Sequence, residues 1–350
     1  MTRPAASNAG CEARTTSPPG EGVGNLRRSD YGVKNVIRPP KLTRGSRVAL
    51  VAPAGPLLER DDLTRAETLC RALGYEPSLG RNTGARHGYF AGTDDQRLAD
   101  LNDALRDPAV AAVWCIRGGY GTTRILDRMD FDAIAARPKP LIGYSDITAI
   151  LNAITRRTGV VTFHAPMARA AMPAFSRWHF ERVLASAEPA GRLGRLPEPP
   201  DVLLPQENRI APLRGGVAEG PLAGGNLTLL QCLVGTPHFP ALDGAILFLE
   251  DVGEDLYRVD RMLAHLRMAG VLDRLAGVAV GRFTELKRAM TDGALGFDEV
   301  LATYFLPLGV PVAYGFPIGH IDDQWTLPLG VRARLDADAG ELELLEAAVS

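Results

Sequence analysis

A serine stands where an apolar run ends and an amphipathic segment begins. The sequence LIGYSDITAIL predicts a buried strand over 141–144, followed by a helix with apolar residues at helical spacing. Ser145 would then be lifted out of a sheet at its carboxyl edge, beside the first N–H groups of the helix. This is the geometry of a nucleophile elbow, although the second glycine of G-x-S-x-G is missing. The alternative is that Ser145 is only a helix N-cap, with Asp146 complementing the helix dipole.

Two adjacent glycines follow another apolar run, at the same predicted sheet edge. In IRGGYGTTR (116–124), Gly118 and Gly119 let the backbone approach a ligand closely, so that one of them can supply an oxyanion N–H beside that of Asp146. The spacing is not G-x-G-x-x-G, and no acidic residue follows at the dinucleotide distance, so a Rossmann cofactor site is not predicted. A tight strand-to-helix turn is the alternative interpretation.

A glutamate ends the apolar strand predicted over 245–250. The period of two places Glu250 on the same face as Ile246 and Phe248, where a carboxylate is expected only with a partner. Three further carboxylates follow by position 255, so a solvated acidic turn or a divalent-metal site is the alternative.

The candidate general base is His320. It lies in a loop bounded by Pro317 and Pro328, and such a loop holds an imidazole stiffly. An ordinary surface histidine is the alternative, and His164, at the end of the run VVTF, is the rival histidine. A serine, a glutamate and a histidine in strand ends and loops have the roles of a hydrolytic triad, which recurs on unrelated folds.

The elements that would position these residues alternate between strands and helices. Apolar runs that predict strands lie at 47–55, 110–116, 141–144 and 160–163. Helical patterns separate them, including one over 121–136, which predicts a mostly parallel sheet covered on both faces. Ligands bind such sheets at the carboxyl ends of the strands.

Composition divides the chain into segments. Residues 1–40 are rich in Pro, Gly, Ser, Thr and Arg and predict a disordered tail. An N-terminal domain carrying the serine is expected over 41–187, and a proline-rich linker over 188–214. A C-terminal domain over 215–350 would carry the glutamate and the histidine, and it ends in a predicted hairpin around 338–340.

Charge and cysteine content exclude several classes of protein. The 350 residues include 39 basic and 41 acidic side chains, so neither a nucleic-acid nor a membrane-surface protein is indicated. The four cysteines form no C-x-x-C pair and no zinc-spaced cluster. No secretory h-region and no apolar stretch of about 18 residues is found, so a cytoplasmic location is predicted.

The sequence also contains the motifs VALVAPAG, GGNLTLL and LFLED. Together with the motifs around Ser145, the double glycine and His320, they resemble those of the LD-carboxypeptidase family of serine peptidases. This family includes murein tetrapeptide carboxypeptidases and microcin C immunity peptidases. The motifs come in the family's order and cover positions from about 45 to 345. The resemblance implies a Rossmann-like N-terminal domain with a mostly parallel sheet, a smaller mixed α/β C-terminal domain, and a site between them. It also implies a homodimer that uses no metal and no cofactor.

Carried over by position, the family's nucleophile, glutamate and histidine fall on Ser145, Glu250 and His320. The backbone oxyanion donors fall on Gly118, Gly119 and Asp146. The implied activity is hydrolysis of the L,D-peptide bond that releases the terminal D-alanine of murein tetrapeptides, in cell-wall recycling.

Other functions and the substrate contacts remain open at this point. A microcin C immunity-type peptidase would cleave acylated aminoacyl-nucleotide amides, with Trp178 or Trp325 stacked on the nucleobase. A non-enzymatic α/β module would use Ser145 and the glycines to bind a small anion. For a carboxypeptidase, Arg117 and Arg124, beside the double glycine, are the candidates that would hold the terminal carboxylate of the peptide.

Overall fold

The computed structural model describes residues 35–196, 209–287 and 295–350, which form α-helices and two β-sheets. The strands are β1 (Arg47–Val51), β2 (Glu76–Leu79), β3 (Ala112–Cys115), β4 (Leu141–Gly143), β5 (Thr162–His164), β6 (Gly191–Leu193), β7 (Ala211–Arg214), β8 (Val217–Asn226), β9 (Ile246–Val252), β10 (Gly277–Thr284), β11 (Val312–Tyr314), β12 (Leu327–Leu329), β13 (Arg332–Asp336) and β14 (Glu341–Leu344). The α-helices are α1 (Asp62–Ala72), α2 (Asp94–Arg106), α3 (Phe131–Ala136), α4 (Thr148–Thr158), α5 (Ala174–Leu184), α6 (Leu227–Leu233), α7 (Leu256–Met268) and α8 (Phe297–Phe305).

The first sheet has the strand order β12-β5-β4-β3-β1-β2. Its five N-terminal strands pair in parallel, and β3, with the sequence AVWC, is buried along its whole length. Such continuous apolar strands are typical of a sheet covered on both faces. The sixth strand, β12, comes from the C-terminal part of the chain and pairs antiparallel with β5, with Leu327 opposite His164. Because Pro328 cannot donate to a ladder, its strand suits this edge position.

The second sheet has the strand order β6-β14-β13-β8-β9-β10-β11-β7. Its four central strands, β8 to β11, are parallel, and antiparallel strands flank them on both sides. The hairpin expected around 338–340 is formed by β13 and β14, with Asp336 opposite Glu341. The mixed α/β class predicted from the sequence is confirmed.

Several expected boundaries differ from the observed ones. Order begins before position 40, because the backbone of Ile37 bonds with Gly159 and Val161, and Arg38 pairs with Glu346 at 2.8 Å. Residues 1–34 of the expected tail lie outside the described residues. The expected linker over 188–214 contributes β6 and β7 at its two ends, while its 197–208 segment lies outside the description.

The pattern over 121–136 does not form one helix. Two short 3₁₀ turns, Thr122–Arg124 and Leu126–Arg128, come first, and α3 begins only after Asp130. The Asp130 carboxylate accepts the backbone N–H of Ala133 at 2.9 Å, so it acts as an N-cap that starts a new helix. Among the helices of the described ranges, none is long and apolar enough to cross a membrane.

Candidate active site

Ser145 lies at the carboxyl end of β4, in a 3₁₀ turn that leads into α4. Its backbone has a φ of 60°. This left-handed conformation costs a non-glycine residue about 1–2 kcal/mol, and such strain concentrates at functional positions. The chain therefore makes a sharp strand-to-helix turn at the serine, which is the geometry of a nucleophile elbow.

A chain of hydrogen bonds joins Ser145, His320 and Glu250. The Nε2 atom of His320 is 3.0 Å from the Oγ atom of Ser145, and its Nδ1 atom is 2.8 Å from Oε2 of Glu250. A carboxylate can only accept, so Nδ1 carries the proton and Nε2 is left free to accept the serine proton. The structure thus brings together the three residues that the sequence singles out.

Glycines allow this close approach. A side chain on Gly319, which has a φ of 118°, would place its Cβ atom 2.8 Å from Oε2 of Glu250. A Cβ atom on Gly118 would lie 2.9 Å from Oγ of Ser145 and 3.5 Å from the backbone nitrogen of Asp146. Both positions therefore need a residue without a side chain, and the double-glycine loop lies directly against the nucleophile candidate.

The carboxylate and the aromatic residue beside His320 have shifted acidities. Glu250 is fully buried, and this burial raises its pKa, while the hydrogen bond from His320 acts in the opposite direction. The ring of Tyr144 packs edge-on against the imidazole, with ring centroids 4.9 Å apart. Burial, together with the nearby charge of Glu250, raises the pKa of Tyr144 to about 12, so its phenol is neutral at physiological pH.

The double-glycine loop is fastened to the serine turn by the residues that follow it. The backbone N–H of Thr122 donates to Oδ2 of Asp146 at 2.9 Å, and the Thr122 hydroxyl donates to the Asp146 carbonyl at 2.6 Å. The buried guanidinium of Arg97 donates to the carbonyl of Gly121 at 2.9 Å. These bonds fix the two backbone segments that would supply an oxyanion hole relative to each other.

An open cavity of about 520 Å³ lies over these residues. It is lined by Arg117, Gly118, Gly119, Tyr144, Ser145, Met167, Arg169, Ala170, Ala171, Met172, Val252, His320, Ile321, Asp322 and Gln324. One part of the lining is apolar and small, and another part is cationic. The cavity can therefore take a short peptide that carries a negative charge.

The structure separates the four candidates for substrate contacts. Arg117 lines the cavity, whereas Arg124 does not, because both its Nε and Nη2 atoms bond the carboxylate of Asp94. Trp325, one of the two candidates for stacking on a nucleobase, is fully buried, and its indole N–H donates to a backbone carbonyl at 2.8 Å. Trp178 is 47% exposed on α5 but does not line the cavity.

The rival histidine is excluded by its surroundings. His164 is fully buried, with its ring centroid 5.7 Å from that of Tyr144, and it does not line the cavity. Burial lowers its pKa to about 3. A neutral imidazole without access to the cavity cannot exchange a proton with a substrate.

The carboxylates at the end of β9 and just after it do not converge on one point. Asp251 accepts the backbone N–H of Thr228 at 2.9 Å and its hydroxyl at 2.8 Å, whereas Glu254 and Asp255 pair with Arg258. In the ranges that the structure covers, no group of three or more His, Cys, Asp or Glu residues has the geometry of a metal site.

Sequence reasoning missed Arg169 and the loop around it. Positions 165–173 form no helix or strand, so no periodic pattern marks them. The signal that was present is positional: the segment follows β5 at the same sheet edge as Ser145.

Comparison with known proteins places this site in a family. The model of the LD-carboxypeptidase N-terminal domain matches residues 48–165, and that of the LD-carboxypeptidase C-terminal domain matches residues 219–335. The murein tetrapeptide carboxypeptidase of Pseudomonas aeruginosa is 36% identical over 300 residues, which cover 83% of this chain and 94% of the relative.

Solved structures agree with this placement. A muramoyltetrapeptide carboxypeptidase from Oxalobacter formigenes superposes with a TM-score of 0.72 at 34% identity, over 85% of this chain and 98% of that one. The microcin C7 self-immunity protein MccF, in complex with glutamyl sulfamoyl guanosine, superposes with a TM-score of 0.81 at 26% identity, over 89% and 99% of the two chains. The chain therefore belongs to the LD-carboxypeptidase family and is a serine-type carboxypeptidase.

Proposed function

We propose that this carboxypeptidase releases the terminal D-alanine of murein tetrapeptides, with Ser145 as nucleophile, His320 as general base and Glu250 as the residue that orients the imidazole. The observation that carries the proposal is the hydrogen-bonded series from Ser145 through His320 to Glu250, open to a cavity. The names of the Pseudomonas and Oxalobacter relatives support the substrate class.

In the first half of the reaction, Nε2 of His320 takes the proton of Ser145 as Oγ attacks the carbonyl carbon of the L-configured centre. The imidazolium that forms stays bonded to Glu250, whose negative charge stabilises it. The same imidazolium then gives its proton to the nitrogen of the departing D-alanine as the peptide bond breaks. Water, with His320 again as base, hydrolyses the acyl-enzyme and restores the serine.

The negative charge on the carbonyl oxygen needs donors during the attack. The backbone N–H groups of Gly118 or Gly119 and of Asp146 are proposed for this role, supported by the closeness of Gly118 to both Ser145 and the Asp146 nitrogen. Each such donor contributes about 3–4 kcal/mol to transition-state stabilisation. The bonds that Thr122 makes with Asp146 hold these backbone donors in position relative to each other.

The domain organisation, the cellular location and the oligomeric state are also proposed. Two folding domains, over 41–187 and 215–350, are supported by the two separate family matches. A cytoplasmic location and a homodimer, without metal or cofactor, are proposed from the family resemblance and from the task of recycling wall fragments.

Mass spectrometry of the reaction products tests which compound the protein cleaves. The protein is incubated with a murein tetrapeptide, and we expect the tripeptide and free D-alanine. A second reaction contains an aminoacyl sulfamoyl nucleoside of the kind found in the MccF complexes. Cleavage of the nucleoside amide with an inert tetrapeptide would instead assign an immunity-type function, for which MccF stands as a related member of the family. Binding without turnover of either compound would favour the anion-binding module.

A further inference from the structure

Two arginine side chains line the cavity beside Ser145, and they follow the two strands that flank β4. Arg117 follows β3, and Arg169 lies in the loop after β5. The sheet order places β4, with Ser145 at its end, between these two strands. The carboxyl ends of parallel strands meet at one edge, so both guanidinium groups belong to the edge at which the serine reacts.

Arg169 is held by a buried carboxylate. Its Nη1 atom lies 3.2 Å from Oδ1 of Asp62, which is fully buried at the start of α1. The other oxygen, Oδ2, accepts the backbone N–H of Leu58 at 2.8 Å and of Glu59 at 3.1 Å. Burial alone would raise the pKa of Asp62, but these donors and Arg169 together hold it below its ordinary value. Asp62 is therefore charged at neutral pH, and it holds one nitrogen of the Arg169 guanidinium group in place.

Arg117 has only a neutral partner. Its Nη1 atom donates to the backbone carbonyl of Pro56, and among the ion pairs of the described residues none involves Arg117. Burial lowers the pKa of Arg117, and the charges of Arg169 and Arg86 lower it further, against the opposing effect of Asp62. Two neighbouring guanidinium groups thus have one buried carboxylate near them, paired with Arg169, and a bound anion would relieve their repulsion.

The remaining acid at the cavity does not neutralise this pair. Asp322 lines the cavity within the loop that carries His320, and it is exposed to solvent, which screens its charge. The charge of Arg169 lowers the pKa of Tyr144, and the charge of Asp322 raises it, so both charged side chains act on the Tyr144 phenol. The cavity therefore has a cationic side, at Arg117 and Arg169, and an exposed acid on the histidine loop.

We propose that Arg117 and Arg169 together hold the α-carboxylate of the residue that is released, and that Asp62 positions Arg169 for this contact. The inference rests on the proposed function, since only a peptide cleaved at its C-terminal residue carries an α-carboxylate within about one residue, ~3.8 Å, of the scissile bond. A carboxylate has two oxygens and accepts from two guanidinium groups with charge-assisted hydrogen bonds. A bound internal peptide bond would bring no carboxylate to Arg117, which otherwise contacts only a neutral carbonyl, or to the side of Arg169 that Asp62 does not hold, so this pair selects for chain ends.

Binding by a protein that cannot turn over provides the test. In a Ser145→Ala background, calorimetry gives Kd for a murein tetrapeptide and for the same peptide with an amidated C-terminus. We expect the free acid to bind at least about 30-fold more tightly, which corresponds to about 2 kcal/mol. Arg117→Met or Arg169→Met should remove most of this preference by weakening the free acid alone. Arg124→Met is the matched control, because this arginine pairs with Asp94 outside the cavity, and it should keep the preference.

Asp62→Asn tests the positioning role. An asparagine oxygen can keep the bonds from Leu58 and Glu59, while the charge that faces Arg169 is lost. We expect a preference for the free acid reduced by about 3- to 10-fold, with Kd for the amide unchanged. A merely structural role would weaken both peptides equally.

The outcomes separate two kinds of failure. Equal binding of acid and amide by the Ser145→Ala protein, or a preference that survives both arginine substitutions, overturns this inference while the tetrapeptide remains the substrate. A protein that binds neither peptide overturns the proposed substrate, and the inference with it.

Discussion

The side chains of the candidate site depend on one another in a defined order. Glu250 is buried and does not line the cavity, so in the proposed mechanism it acts through the imidazole that bonds to Ser145. A residue that works in such a unit contributes little once another member is missing. The expected effects of substitution are therefore large individually and not additive.

The first prediction concerns the serine and the histidine. Ser145→Ala and His320→Ala should each lower kcat by about 10⁴- to 10⁶-fold, and the double variant should be little worse than either, because the two act on one proton. Steady-state release of D-alanine measures this. A double variant that loses the product of the two single effects would contradict their action as a unit.

Glu250→Gln should lower kcat yet stabilise the fold at alkaline pH. Burial raises the pKa of Glu250 above its unfolded value, so the folded chain binds this proton more tightly. The stability that this group contributes is present at low pH and is lost as pH rises through the folded pKa. At pH 8 the variant should therefore melt about 1–3 °C higher than the parent, with a difference that shrinks towards pH 5. A lower Tm at pH 8 would contradict the assignment.

Gly319→Ala should impair activity by displacing the carboxylate. Its Cβ atom would lie 2.8 Å from Oε2 of Glu250, in addition to the strain of a positive φ. Gly45→Ala is the matched control, because Gly45 also has a positive φ, of 80°, but has no atom within 4 Å of its Cβ position. We expect a fall in kcat of about 10²-fold or more at 319 and none at 45. Equal activity in the two variants would show that the contact is tolerated.

Sequence reasoning identified the three candidate catalytic residues but not Arg169, which is proposed to bind the substrate carboxylate. Ser145, Glu250 and His320 stand at strand ends or beside prolines, and such places leave a pattern in the sequence. Arg169 has no pattern of its own, and only the sheet order brings it beside the serine. Trp325 has the residue type of a stacking platform, but its burial depends on neighbours distant in sequence, such as Gly194.

At the scale of elements, Asp251 joins β9 to α6. Its Oδ2 atom accepts the N–H of Thr228 in the first turn of the helix, and its Oδ1 atom accepts from Nδ2 of Asn226, which caps the same helix. The residue next to the candidate catalytic glutamate therefore holds a helix end. The hydrogen-bond pattern shows this role, whereas the sequence shows only two adjacent acids.

Asp251→Asn should destabilise the fold while sparing catalysis. One of its oxygens becomes an amide group that faces a donor, either Asn226 or Thr228, at a cost of about 1–3 kcal/mol in the free energy of unfolding. Denaturant titration measures this, and kcat should fall far less than in Glu250→Gln. The control is Glu254→Gln, whose carboxylate is partly exposed, with an expected change within about 0.5 kcal/mol. Loss of activity in Asp251→Asn, with mild effects in Glu250→Gln, would show that Asp251 orients the imidazole instead of Glu250.

Helix caps also explain where the sequence prediction of elements was wrong. The helical pattern over 121–136 is apolar at suitable positions, but Asp130 binds the N–H of Ala133 and so starts a helix rather than continuing one. Apolar periodicity is read over long windows, whereas a cap acts through a single hydrogen bond. Long elements such as β9 and α7 were predicted to within two residues, because their apolar periodicity extends over a long window.

For the whole molecule, the two sheets share chain segments in a way that composition does not reveal. β12 follows the histidine loop and pairs with β5 of the first sheet, although it lies within the expected C-terminal domain. Its sequence contains a proline, which lowers the strand signal. Long-range pairing of this kind is decided by tertiary packing and therefore could not be predicted from local pattern.

Truncation at the N-terminus should show a sharp boundary. Deletion of residues 1–34 should leave Tm and turnover unchanged, because the segment has little apolar content to bury. Deletion of residues 1–40 should lower Tm by several degrees, since it removes the backbone bonds of Ile37 and the ion pair of Arg38 with Glu346. Thermal scans of both proteins measure this, and a loss of stability in the shorter deletion would show that the tail docks.

The distance along the chain between Ser145 and His320 gives the enzyme a delayed onset during biosynthesis. The two residues that hydrogen-bond are 175 positions apart, and Glu250 lies between them in sequence. A ribosome adds about 5–20 residues per second, so Ser145 is added to the chain roughly 9–35 s before His320. Until β12 is made, the edge of β5 also lacks its partner. Incomplete chains should therefore be hydrolytically silent, and the appearance of activity in a cell-free translation would mark completion of the whole polypeptide.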